Sequence, residues 1–170
     1  MNAAADAAAL AQYYYGDAPE VEILGADKLN FTYIPTHLHY IFFELLKNSM
    51  RATLETHANS SSLPKIQVVI AEGEDEIAVK ISDQGGGLRR DGLPRIWTYT
   101  YTTAENAITS SAGNQNERAP MAGFGHGLPL SRLYCRYWGG DLTMMSMEGF
   151  GTDAYVHIHK LGNRDEQLPY

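Results

Sequence analysis

Cysteine is almost absent: Cys135 stands alone among 170 residues. An intramolecular disulfide and any multi-cysteine metal site are thereby excluded, which fits a reducing compartment. Cys135 follows Leu133 and Tyr134 on an expected helix, where a buried thiol is inert. Cations are scarce as well. Thirteen Lys and Arg against twenty Asp and Glu leave a net charge of -7. Nucleic-acid backbones are bound by clustered Lys and Arg, so nucleic acid is not an expected partner. No apolar run approaches the ~18–20 residues of a membrane-spanning helix.

What is present is an ordinary globular composition, 44% apolar and 19% charged, at a length that supports one domain with its own core. The first eleven residues are Ala-rich and carry Asp6 but no Lys or Arg. They suit the end of a helix better than a transit peptide. Short strands are expected at 21–24 and 30–34 around Gly25. Pro35-Thr36 then opens a helix, with Thr36 as its N-cap, that runs to about residue 57. Residues 65–71 and 76–82 read as a hairpin in which Ile77, Val79 and Ile81 share a buried face. A short helix is expected through Ile96 and Trp97, a longer one over 127–138, and two strands over 141–147 and 152–159. The polar stretch 104–120 reads as a mobile loop. The layout is α/β, a two-layer sandwich whose mixed, largely antiparallel sheet is covered on one face by helices.

On the helix after Pro35, an advance of about 100° per residue puts Leu38, Ile41, Phe42, Leu45, Ser49 and Ala52 on one arc, the core stripe. Glu44, Lys47, Asn48 and Arg51 share a neighbouring arc. Asn is a poor helix former. Such a strip is ordinarily a solvated face with Glu–Lys pairs; an acid, two cations and an amide together could instead serve a metal–phosphate group.

Two glycine motifs follow. Ser82-Asp83-Gln84-Gly85-Gly86-Gly87 ends a strand, where Asp83 could accept a hydrogen bond from an exocyclic amine. Gly123-Phe124-Gly125-His126-Gly127-Leu128 opens a helix, whose N-terminal amides and dipole attract anions. The second is neither a Walker A nor a dinucleotide loop, and the His-Arg-Asp and Asp-Phe-Gly signatures of ordinary protein kinases are missing.

In order, these pieces resemble the ATPase family of gyrase, Hsp90, histidine kinases and MutL, the Bergerat fold. Glu44-Leu45-Leu46-Lys47-Asn48 is similar to its N box, Asp83 to Gly87 to its first glycine box, Gly123 to Gly127 to its second, and Gly149-Phe150-Gly151-Thr152 to its third. Within it, Glu44 to Thr53, Trp97 to Ala104 and Ala122 to Arg132 resemble the mitochondrial kinases of 2-oxo acid dehydrogenase complexes. Pro120 to Gly123, Leu130 to Tyr134 and Ser146 to Gly149 lean toward the pyruvate dehydrogenase branch. Glu44 to Lys47 and Thr102 to Glu105 lean toward the branched-chain branch. The visible residues contain no phospho-accepting helix of a histidine kinase.

The resemblance implies a protein serine kinase that binds ATP or ADP with Mg2+, and K+ as a further cation. Asn48 would bind the metal, Glu44 would act as base toward a serine hydroxyl, and Asp83 would hold adenine. The implied nucleotide contacts are Glu44, Lys47, Asn48, Arg51, Asp83, Gly85, Gly87, Thr102, Thr103, Gly123, Phe124, Gly125, His126, Gly127, Leu128 and Thr152, with 104–120 as a lid. Residues 1–20 would be a helical linker from a preceding bundle, 21–162 the ATPase domain and 163–170 a truncated tail. The implied partners are the E1 subunit of the pyruvate dehydrogenase complex as substrate, the lipoyl domain of the E2 scaffold through regions outside this stretch, and a second copy of the chain. The second copy would pair on the sheet side, where Tyr155, His157 and His159 point outward. The implied location is the mitochondrial matrix. Without the family's N-terminal bundle and C-terminal Asp-Trp tail, this stretch is expected to bind ATP without phosphorylating its protein target.

Overall fold

The computed structural model describes residues 2–25, 29–101, 121 and 125–160. Along them run α1 (Ala3–Tyr15), β1 (Val21–Leu24), α2 (Pro35–Thr56), β2 (Ile66–Glu72), β3 (Glu76–Asp83), a 3-10 turn (Leu93–Trp97), α3 (Gly127–Tyr137), β4 (Asp141–Met147) and β5 (Gly151–His159). The strands form one sheet in the order β1-β2-β3-β5-β4. β1 runs parallel to β2, and the other pairings are antiparallel. This is the expected mixed α/β sandwich.

The period-2 pattern of the strands decides which face is buried. Ile77, Val79 and Ile81 of β3 and Val156 and Ile158 of β5 lie in the core with Leu142 of β4. The alternate residues Lys80, Tyr155, His157 and His159 are only partly covered. In register, Lys80 faces Tyr155 and Ala78 faces His157 on that second side.

Three expectations are corrected. Residues 30–34 form no strand; the described residues 29–34 carry no regular structure. Phe31 and Tyr33, the apolar half of their alternation, pack against the core cluster instead. Alternation marks a buried side, and packing satisfies it without a hydrogen-bonded ladder. Thr36 is not the cap of α2. Ile34 holds that position without a side-chain bond and Pro35 occupies the first turn, where its fixed φ suits the helix and its missing N–H costs nothing.

The third correction is the width of the buried surface of α2. Ile41, Leu45 and Ser49 are buried as expected, but so are Leu46, Lys47, Met50, Thr53 and Leu54. Covering them from the far side is α1, which the Ala-rich start supplies; Ala7 and Ala11 are fully buried. Small side chains there let the two helix backbones approach closely. Asp6 meets His39 Nε2 at 2.8 Å near one end of this contact, and the Tyr15 hydroxyl donates to Glu55 Oε1 at 2.9 Å at the other. α3 closes the same layer. Its Arg132 and Arg136 reach Asp141 Oδ1 at 3.2 and 2.8 Å. The Arg136 hydrogen bond, helped by Arg132 and the Leu142 N–H, holds the Asp141 carboxyl at about 2, so the tie between α3 and β4 stays ionised at neutral pH.

Candidate functional site

A cleft opens between α2, the N-terminal end of α3 and the ends of β3 and β5. Glu44, Asn48 and Arg51 line it from α2, Asp83 and Thr152 from the strands, and Gly125, Gly127 and Leu128 from the start of α3. The two polar groups that the sequence keeps far apart, the α2 strip and the strand-end acid, thus face one space.

Asp83 is the best-defined member. It ends β3 opposite Thr152 of β5 and is 8% exposed. Its Oδ1 accepts from the Gly85 N–H at 2.9 Å and the Thr152 N–H at 3.2 Å, and the Ser49 hydroxyl also donates to its carboxylate. Burial pushes the Asp83 carboxyl above the ordinary carboxylate value. The bonds from Gly85, Ser49 and Thr152 pull it down, and the charge of Asp153 adds to the rise. The net displacement is upward, as for acids at functional sites.

The glycines around Asp83 hold the backbone together. A Cβ on Gly85 would stand 2.5 Å from the Ala52 Cβ of α2, so only glycine lets the strand end approach the helix. Gly87 takes φ +67 with the Met147 and Gly151 carbonyls against its Cα. Gly86 N–H donates to the Phe150 carbonyl at 3.1 Å, and Gly149 N–H donates back to the Gly86 carbonyl at 2.8 Å. The first and third glycine boxes are therefore one interlocked turn. Gly85 and Gly87 are not among the residues lining the cleft, and the structure gives both a packing role.

Glu44 points across the cleft at α3. A side chain at position 127 would occupy the space of its carboxylate. That carboxylate thus meets the positive end of the α3 dipole. Lys47 Nζ approaches both Glu44 oxygens at 2.7 Å, with the two side chains only 11% and 13% exposed, and it sits 5.5 Å from the Phe43 ring centroid. Lys47 is thereby engaged with Glu44, outside the lining of the cleft. His126 also lies outside that lining; it precedes α3 without a side-chain cap bond, its ring 5.8 Å from that of Tyr99. Gly125, at φ +74, packs against the backbone of Thr100 and Tyr101. The expected contacts Thr102, Thr103, Gly123 and Phe124, and the loop 104–120, lie outside the described residues.

Sequence reasoning missed several lining residues. Leu88, Ile96, Tyr101, Met144 and Ala154 complete the cleft with apolar surface. They are ordinary apolar residues whose role depends on where the chain brings them. Ser49 was legible in part. A hydroxyl on a core stripe requires a partner, and here that partner is Asp83.

The donor set suits a hard cation. Among the described residues no group of three His, Cys, Asp or Glu could hold a metal by itself. The Asn48 amide in the cleft fits a Mg2+ that takes its other ligands from phosphates and water, as this ion commonly does.

A carboxyl raised above its unfolded value favours folding while protonated, and that contribution disappears as pH rises through the folded value. At neutral pH the ionised Asp83 therefore costs stability. Asp83→Asn keeps an acceptor for Gly85 and Thr152 and removes the buried charge. Thermal unfolding at pH 7 is expected to show a Tm equal to or above that of the parent; a clear fall in Tm would contradict this account.

Residues 33–161 match the family model described as histidine kinase-, DNA gyrase B-, and HSP90-like ATPase. The chain is also similar to mitochondrial [pyruvate dehydrogenase (acetyl-transferring)] kinases. It is 48% identical to that of Arabidopsis thaliana over 99% of this chain and 47% of the relative. It is 45% identical to that of Schizosaccharomyces pombe over 98% of this chain and 41% of the relative. Against isozyme 4 of Homo sapiens it is 40% identical over 94% of this chain and 40% of the relative. The chain thus spans less than half the length of these curated relatives. With the model covering most of its length and the cleft built from the matched residues, the chain belongs to the histidine kinase-, DNA gyrase B- and HSP90-like ATPase family.

Proposed function

We propose that this chain is the ATP-binding catalytic part of a protein serine kinase that phosphorylates the E1 subunit of the pyruvate dehydrogenase complex in the mitochondrial matrix. The observation that carries the reading is the convergence of Asp83, Asn48 and Glu44 on one cleft. Similarity to kinases named for pyruvate dehydrogenase supports the choice of substrate. The lipoyl domain of E2 and K+ are expectations from the resemblance alone.

Asp83 accepts a hydrogen bond from the adenine amine, its backbone partners keeping the carboxylate aimed into the cleft. Apolar Leu88, Met144 and Ala154 flank that contact and exclude water from it. Asn48 would hold the Mg2+ that accompanies ATP, whose charge would offset that of the phosphates. Arg51 and the start of α3 receive the phosphates. Glu44 accepts the serine proton as the serine oxygen bonds to the γ-phosphorus and the bond to the ADP oxygen breaks. Such transfer asks a protein mainly for positioning and charge neutralisation. The bidentate Lys47 contact fixes the direction of the Glu44 carboxylate until substrate arrives.

A second copy would pair on the sheet side. The half-covered Tyr155, His157 and His159 and the exposed Met145 and Met147 offer a surface there. Light scattering is expected to give twice the chain mass at high concentration; a strictly monomeric result removes the pairing.

Calorimetry with ADP and Mg2+ tests the nucleotide site. Asp83→Asn is expected to cost about 1–3 kcal/mol of affinity, the value of a buried hydrogen bond left imperfect. Asn48→Ala should reduce mainly the Mg2+-dependent part. Parental affinity in both variants would remove the assignment.

Glu44→Gln in the full-length protein separates binding from chemistry. Loss of a general base lowers rate by ~10²–10⁴, so phosphorylation of E1 should fall by that order with ATP binding not weakened. If the pair, with side chains only 11% and 13% exposed, were structural alone, loss of the Glu44 charge would lower stability by leaving Lys47 unpaired and leave the rate of the folded enzyme unchanged. Phosphorylation at the parental rate would show that Glu44 is not the base.

A further inference from the structure

The cleft residue Arg51 is tied to something outside the cleft. Its Nε lies 3.2 Å from Glu55 Oε1, one turn on along α2. The same oxygen accepts from the Tyr15 hydroxyl at 2.9 Å. Tyr15 is the last residue of α1, which Gly16 then ends in the left-handed conformation at φ 74 with its N–H on the Gln12 carbonyl. One carboxylate oxygen therefore joins the end of α1 to a side chain that lines the cleft.

An i,i+4 Arg–Glu pair by itself is a common surface feature contributing a few tenths of a kcal/mol. Two features set this one apart. The Arg51 side chain is 12% exposed and lines the cleft, so its orientation matters to whatever binds there. Glu55, 45% exposed, has rotamer freedom of its own, and the third group that restrains it comes from another helix. Tyr15 is partly buried against α2, and burial followed by the Glu55 hydrogen bond raises its hydroxyl's pKa while the Arg51 charge lowers it, as a three-membered Tyr–Glu–Arg cluster requires.

We propose that Tyr15 and Glu55 are positioning residues for the phosphate-contacting Arg51, so that docking of α1 on α2 and nucleotide binding at the cleft are coupled. Resting on the nucleotide reading above, the coupling extends it to α1, a helix that contributes no residue to the cleft lining and reaches Arg51 only through Glu55 of α2. Coupling of two equilibria is reciprocal. If the docked α1 raises nucleotide affinity, bound nucleotide must hold α1 down by the same factor. Any event that lifts the end of α1 would then release nucleotide without touching the cleft.

Calorimetry on the 170-residue chain with ADP–Mg2+ and with adenosine, for Tyr15→Phe and Glu55→Gln, tests this. Each is expected to weaken ADP by about fivefold or more, within the usual range of coupling between sites. Adenosine, which lacks the phosphates Arg51 would meet, should bind as to the parent. In an Arg51→Met background Tyr15→Phe should cost nothing further. Hydrogen exchange supplies the reciprocal reading: ADP–Mg2+ should slow exchange across α1 in the parent but not in Tyr15→Phe, while β3 and β5 are protected in both. Parental ADP affinity in both variants overturns the coupling, and so does equal loss of ADP and adenosine, which would mark general loosening. Absence of binding by the parent itself removes the nucleotide reading and the proposal together.

Discussion

The buried carboxylate of Asp83 organises the cleft because its hydrogen bonds come from three separated parts of the chain. Gly85 lies two residues on, Thr152 on the neighbouring strand and Ser49 on the long helix. A carboxylate out of water requires partners of this kind. Meeting that requirement fixes the β3–β5 register at the sheet end, seats the glycine turn against Ala52 and draws α2 onto the sheet. The displacement of Asp83 from its ordinary ionisation is the cost retained for an acceptor that faces the cleft.

From that anchor the rest of the site follows by helix geometry. Ser49 and Ala52 approach the Asp83 turn, so Glu44, Asn48 and Arg51 of the same helix line successive positions along the cleft. Glu44 then reaches the first residue of α3, where only a glycine leaves room for its carboxylate. The strip of polar residues is thus nearly as buried as the apolar stripe beside it. Lys47 shows the consequence. An ammonium at 9% exposure needs a counter-charge, and it takes Glu44.

α1 changes the character of α2. A helix packed on a sheet alone has a solvent face, yet α2 buries Met50, Thr53 and Leu54 as well because α1 lies along its other side. Tyr15, Glu55 and Arg51 make that outer contact continuous with the cleft. The helix layer therefore has two jobs at once, closing the core and orienting a cation that lines the cleft.

The amino-acid order by itself determined the strand faces, since Ile77, Val79 and Ile81 can share a side only in a period-2 ladder, and it placed α2 and α3 to within a residue or two. It also set the polar strip of α2, because 3.6 residues per turn align Glu44, Asn48 and Arg51 whatever surrounds them. Motif order brought Asp83 and Thr152 into one expected site. Only tertiary structure decided that 30–34 packs as coil, because a buried apolar side does not specify a ladder partner. Tertiary structure alone also gave Lys47 to Glu44, since a long flexible cation chooses among acceptors by distance and exposure. It likewise assembled Leu88, Ile96, Met144 and Ala154 into a wall, and joined Tyr15 to Arg51 across 36 residues. Such contacts carry no local signature: they depend on which surfaces the chain brings within a few ångströms, and that is set by burying the whole core at once.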